Sequence, residues 1–343
     1  MLFPNVTRVH LRSLIVPDAL FQHLRLCRVS RLDLLFCDVR GVSLSGHAEH
    51  AGVGAFKELK ELHFNDVWWN RDFSLNDLIS APHLRHLDIS HSRDFSSQFG
   101  LCSVVSRATD LRLIIHPGIE IDSVASFLGL FPRVTWLLVR GTQPLLQSCR
   151  PAFNALVPGL VELDGPFSTT SSILAEGRPV ETIRLYHPIM DVTPPTIDDA
   201  RAIAAGLLLS TTPIVGMYMC ALRVSDYAVV LPEFRRNFQL LRKLHIVTDD
   251  DETGSELLEW IAENLKDDLT RLEDLIIGNE HILPNSGYFR RTTPALPKTM
   301  GCVNHVLALS VSSPRLRMVL LPGRRYVYRS QGHWDREMVP LDD

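Results

Sequence analysis

An α/β solenoid, with a parallel β-sheet on one face and helices or irregular segments on the other, is the fold class the sequence predicts, and three observations predict it. A nine-residue phrase recurs in which an apolar residue is followed three and then five positions later by two more. Its clearest copies are FKELKELHF (Leu59, Leu62, Phe64), PHLRHLDIS (Leu84, Leu87, Ile89), FPRVTWLLV (Val134, Leu137, Val139), FQLLRKLHI (Leu241, Leu244, Ile246) and LTRLEDLII (Leu272, Leu275, Ile277). Twelve phrase starts run from Val6 to Leu316, about 28 residues a step. Between them lie segments of helical periodicity. Together these are the signature of a leucine-rich-repeat solenoid, a horseshoe whose parallel sheet lines the concave face.

The phrases begin at Val6, Val29, Leu59, Leu84, Ala108, Val134, Leu160, Val180, Ile214, Leu241, Leu272 and Leu316. Each is expected to be a short strand. The second and third apolar residues are two apart and point to the same side. That predicts one buried column of Leu62, Leu87, Leu111, Leu137, Leu163, Ile183, Leu244 and Leu275. Helices are expected from Asp18, and at Asp122–Leu130, Leu145–Val157, Asp198–Leu209 and Ser255–Lys266. The last carries capping-box spacing at Thr253 and Glu256 and an apolar face of Leu257, Leu258, Ile261 and Leu265. The Pro- and Gly-containing stretch His281–Lys298 reads as a loop insertion.

The common form of this repeat places Asn or Cys eight residues after its first apolar residue, where the side chain bonds the turn. Here Cys37 alone satisfies that rule. Residues 1–323 therefore read as about twelve irregular repeats, and 324–343 as a tail or a cap built on Tyr326, Tyr328 and Trp334. An exposed first strand is expected to leave Leu2, Phe3, Val6 and Val9 less covered than their interior equivalents.

Composition narrows the function. The 343 residues are 45% hydrophobic and 22% charged, with a net charge of −4 and a pI near 6.4. That argues against general nucleic-acid binding, which needs a basic surface. The six cysteines are scattered and form no close pair, so they read as reduced thiols of a cytoplasmic or nuclear protein. No secretory signal opens the sequence, and the sequon at Asn5-Val6-Thr7 is expected to be unmodified. Ala202–Leu222 holds no charged residue, but Ser210-Thr211-Thr212-Pro213 divides it. It reads as a helix followed by a strand rather than a membrane span.

Candidate chemistry is sparse. His47 and His50 sit among Gly41, Gly46, Gly52 and Gly54, as in a surface loop. His83, His86 and His91 gather near one strand without a complete ligand set. Asp249-Asp250-Asp251-Glu252 lacks the spacing of a calcium loop. Gly52-Val53-Gly54 has no following Lys-Ser/Thr. Ser168-Thr169-Thr170-Ser171-Ser172 reads as a flexible loop with hydroxyls open to phosphate. No nucleophile motif is present. Catalytic, cofactor-binding and metal-binding residues are therefore assigned to none, and the chain reads as a non-enzyme without a cofactor.

The phrases Leu2-Phe3-Pro4-Asn5-Val6-Thr7, Pro82-His83-Leu84-Arg85-His86-Leu87-Asp88-Ile89 and Leu130-Phe131-Pro132-Arg133-Val134-Thr135-Trp136-Leu137 resemble the strand openings of fungal, mushroom-type F-box proteins. The resemblance covers essentially the whole chain. It implies a substrate-recognition component, or a remnant of one, for a cullin ubiquitin ligase. In that family a helical F-box precedes the repeats and docks the Skp adaptor. Here the first phrase begins at Val6 and no Leu-Pro-x-Glu segment stands ahead of it, so a Skp partner is expected only if an F-box lies upstream. A stand-alone repeat scaffold is the alternative.

In either case the partner is expected to be a protein on the concave face. Residues between the second and third apolar positions point outward: His10, Asp33, His63, Asp88, Arg112, Leu138, Asp164, Arg184, Tyr218, His245, Ile276 and Leu320. The residues two earlier join them. Exposed apolar and aromatic side chains among arginines mark hot spots. The expected partner-binding site is therefore Arg112, Trp136, Leu138, Arg140, Arg184 and Tyr218.

Overall fold

The computed structural model describes residues 5–39, 56–68, 75–90, 104–115, 121–141, 156–174, 178–186, 196–222, 224–248, 253–278, 302–321, 324–330 and 333–338. The chain forms two compact units, Met1–Asp164 and Gly165–Asp343.

In the first unit the phrases become strands β1 (Arg8–Arg12), β2 (Arg31–Leu35), β3 (Glu61–Asn65), β4 (His86–Ser90), β5 (Asp110–Ile115) and β6 (Trp136–Gly141). Strand β7 (Glu162–Pro166) begins at the end of this unit. Each pairs with the next in parallel and in strict register: Leu32, Leu62, Leu87, Leu111, Leu137 and Leu163 stand opposite one another in turn. None of these leucines is more than 1% exposed. The register is set just ahead of the strands, where Arg85 N–H donates to the Lys60 carbonyl at 2.9 Å and Thr135 N–H to Thr109 at 2.8 Å. Cys37 Sγ reaches the carbonyls of Leu11 and Leu35 at 3.3 and 3.4 Å, the turn-bonding role its position predicts.

Helix Asp18–Leu26 starts where expected and buries Phe21 and Leu24. The Phe21 ring meets Phe56 edge-on at 6.0 Å. Helix Ile121–Leu128 buries Val124, Phe127 and Leu128. Most of the helix expected at Leu145–Val157 lies outside the described residues, and Leu156 and Val157 at its end are not helical. Val6 and Val9 are partly exposed, whereas Val29 and Leu32 are fully buried, so the first strand is the less covered one. Leu2 and Phe3 lie outside the described residues, as do His47, His50 and His91.

In the second unit β8 (Thr182–Tyr186), β9 (Gly216–Leu222), β10 (Lys243–Thr248), β11 (Asp274–Gly278) and β12 (Met318–Leu321) again pair in parallel. Ile183, Met217, Leu244, Leu275 and Val319 form the corresponding buried row. The C-terminal segment then reverses direction. Strands β13 (Arg324–Ser330) and β14 (His333–Met338) form an antiparallel hairpin that joins the sheet through β12. The segment thus extends the sheet edge to edge, with Tyr328 and Trp334 in T-shaped contact at 5.5 Å.

Helices Ile197–Leu208 and Thr253–Asn264 match the expected segments within two residues. The first carries a capping box between Thr196 and Asp199. Together with β9 it accounts for the uncharged stretch Ala202–Leu222. Among the described residues no helix is long and apolar enough to cross a membrane. Tyr227, on helix Val224–Val230, is wholly buried and donates its hydroxyl to the Val247 carbonyl at 2.6 Å.

One reading is corrected here. Residues Phe167–Ile173 are a helix, not a flexible loop, and Thr169, Thr170 and Ser171 are 1, 0 and 3% exposed. Packing overrides the weak helix propensity of a Ser/Thr run. Those three hydroxyls are closed to a modifying enzyme.

The packing between Phe167–Ile173 and Ile197–Leu208 depends on Gly206. A Cβ there would stand 2.9 Å from Leu174 Cβ. In an open helix, Gly to Ala stabilises by about 1 kcal/mol. Here Gly206→Ala is expected to destabilise by about 1–3 kcal/mol through overpacking, read from urea unfolding. Leu87→Ala empties a site in the leucine row and is expected to cost about 2–5 kcal/mol by the same measurement. An unchanged midpoint for Leu87→Ala would mean that the row does not carry the core.

Candidate functional site

Alternation along each strand sends every second residue to the face opposite the leucine row. Strict register then aligns them across strands. In the first unit one row runs His10, Asp33, His63, Asp88, Arg112, Leu138, Asp164. The parallel row, two residues earlier, runs Arg8, Arg31, Glu61, His86, Asp110, Trp136, Glu162.

Bases and carboxylates alternate along the first row and bind one another. His10 Nδ1 is 3.5 Å from Asp33, and Arg31 Nε donates to both Asp33 oxygens at 3.0 Å. Arg31 also reaches Glu61 at 3.0 Å. His63 Nδ1 lies 3.6 Å and Arg112 Nη1 3.4 Å from Asp88 Oδ2, and Ser90 Oγ donates to Asp88 at 2.5 Å. Burial pushes the Asp88 carboxyl up, but His63, Arg112 and Ser90 together hold it below the ordinary carboxylate range. Burial, assisted by neighbouring His63, pushes the His86 imidazole down.

Trp136 lies two strands beyond His86 on the parallel row. Its indole stacks on the His86 ring at 6.2 Å and 24°. Its direct cross-strand neighbours are acids, Asp110 on one side and Glu162 on the other. With Thr135 and Val161 these residues line an open depression of about 490 Å³. The wall of the depression is therefore an aromatic face between two carboxylates.

The residues expected to form the site are distributed differently from one another. Arg112 turns toward Asp88, and its Nε is buried without a hydrogen bond. Leu138 lies on the expected row but is only 5% exposed. The Arg140 side chain lies outside the described ones.

Arg184 and Tyr218 belong to the second unit and form a group of their own. The Arg184 guanidinium sits 4.9 Å above the Tyr218 ring, and Tyr218 meets His245 edge-on at 4.3 Å. The three are register partners on β8, β9 and β10. Further along this row Ile276 is 7% exposed.

Sequence reasoning placed every one of these residues on the outer face. It did not find the acids beside Trp136 or the contact of His63 with His86. Both depend on which repeat lies next to which, a signal present in the aligned phrase starts.

His245 supplies a pH test. Burial first, then Lys243 and Arg184, push its pKa down from 6.5 to about 4. The folded chain therefore holds a neutral imidazole where the unfolded chain takes up a proton. Stability is expected to be full above pH 6.5, to fall by up to ~3 kcal/mol as the pH drops toward 4, and to show no further loss from this group below that. In urea unfolding at pH 7, 5.5 and 4, His245→Gln should lose less stability than the wild type. Parallel losses would exclude His245 as a source of acid sensitivity. No protein-family model and no curated protein matches this chain.

Proposed function

We propose that the chain is a protein-binding repeat module whose first-unit sheet face takes up a basic side chain of its partner at Trp136. The observation that carries this reading is the depression formed by Trp136 between Asp110 and Glu162. An indole face attracts a cation through its quadrupole, more strongly when water is displaced. Two flanking carboxylates add charge-assisted hydrogen bonds and set the sign of the partner. A lysine, a methylated lysine or an arginine fits that chemistry, and an acidic side chain does not. Arg31 is directed to Asp33 and Glu61, and Arg112 to Asp88.

The resemblance to the repeat half of F-box proteins supports a more specific role. On that reading the bound partner is a substrate presented to a cullin ubiquitin ligase, with Skp engaged by an F-box ahead of the repeats. A stand-alone scaffold uses the same face without the ligase. Genomic sequence ahead of Met1 separates the two, since an in-frame F-box there belongs to the first reading alone.

The binding reading is tested with arrays of short peptides. The full chain is expected to retain Lys- or Arg-centred peptides over Glu-centred ones, and less so at high salt. Trp136→Ala should cost about 2 kcal/mol, roughly thirtyfold in Kd, with thermal unfolding unchanged. Selection of acidic peptides, or equal retention by a folded Trp136→Ala, would overturn the assignment.

A further inference from the structure

Three metal-binding side chains meet on the outer face of β3 and β4. His63 and Asp88 are register partners, and His86 lies two residues before Asp88 on the same strand. One donor atom from each of the three lies within 4.8 Å of the other two. The two imidazole rings are 4.9 Å apart and tilted by 37°. All three residues are partly buried, so the sheet holds them rather than letting them sweep through solvent.

The geometry admits an ion. His63 Nδ1 and Asp88 Oδ2 are 3.6 Å apart. An ion about 2.1 Å from both atoms would subtend an angle of roughly 120°, close to tetrahedral or trigonal-bipyramidal coordination. A His86 nitrogen within 4.8 Å of the other two donors makes up a three-ligand set. The second nitrogen of His63 is also placed for this role. His63 Nε2 is buried without a hydrogen-bond partner, yet lies 3.8 Å from both an Asp33 and a Glu61 oxygen. A carboxylate behind the distal nitrogen of an imidazole is how proteins fix the tautomer of a metal-bound histidine.

Ligand type selects the metal. Two imidazoles and one carboxylate suit zinc and its neighbours in the first transition row. Calcium and magnesium require oxygen-rich cages that this site does not offer. Against binding stands Arg112, whose Nη1 is 3.4 Å from the same Asp88 oxygen. An ion at Asp88 would have to displace that guanidinium. We propose that His63, His86 and Asp88 form a site for a divalent transition-metal ion of the zinc class, open on one side to water or to a partner group.

The full chain, stripped with a chelator, is titrated with Co²⁺ and then with Zn²⁺. The expected result is one site with the visible d–d absorption of nitrogen- and oxygen-ligated cobalt, no thiolate charge-transfer band, and displacement by zinc. His63→Gln and His86→Gln should each weaken Co²⁺ binding at least tenfold. Metal-free thermal unfolding of each variant establishes that it has folded. Arg112→Gln, which removes the competing cation, should tighten binding. The proposal is overturned if the wild type binds neither ion, if cobalt binds with a thiolate band, if both folded histidine variants bind as the wild type does, or if Arg112→Gln weakens binding.

Discussion

Residue-for-residue pairing between parallel strands is the constraint on which the other features depend. Once a backbone hydrogen bond ties Thr135 to Thr109, and another ties Arg85 to Lys60, no side chain on these strands can choose its neighbour. Each stands opposite its counterpart in the next repeat. On the inner face the result is a leucine row, where like beside like is favourable because every member is apolar. On the outer face the same rule is a hazard, because like charges directly opposite repel. The first unit meets it by alternation, with Asp33 between His10 and His63 and Asp88 between His63 and Arg112. The polar network is thus a consequence of stacking, and any binding chemistry has to be built within it.

The two units use this rule differently. In the first, the outer rows carry charges along nearly every strand, and the rings of His63, His86 and Trp136 follow one another across β3, β4 and β6. In the second, a cation and rings meet on the outer row: Arg184 over Tyr218, and Tyr218 against His245. A neutral His245 is the physical result, since a proton there would face Lys243 and Arg184 while buried. The first unit's outer face is thus a run of ion pairs, and the second's carries a packed cation–aromatic group.

The sequence made most of this scaffold legible for a simple reason. Two apolar residues two apart specify both a strand and the side that it buries, and Leu62, Leu87 and Leu137 do so without ambiguity. Cys37 was legible because a single side chain closes a single turn. The helix Phe167–Ile173 was not, because its serines and threonines favour other local structure and only its burial against Ile197–Leu208 makes it helical. The Thr196 cap was missed although Asp199 follows at the right spacing, since the expected helix opens at Asp198. At the site, strand alternation placed His63, Asp110 and Glu162 on the outer face. Their neighbours come from repeats of unequal length, so contacts invisible within any one phrase, such as His63 with His86, arise only when the strands are laid side by side.

The antiparallel hairpin at the C-terminal edge bears on how such a chain grows. A run of parallel strands is open-ended: its last edge can accept a duplicated repeat, or the first strand of another molecule, on equal terms. By turning back, β13 breaks the direction that an added repeat would need to follow. Strand β14 continues that reversal by pairing antiparallel with β13. Gene duplication can therefore lengthen the array by inserting repeats among the parallel strands, but not by appending them past β12. At β12 the parallel direction of the array therefore stops.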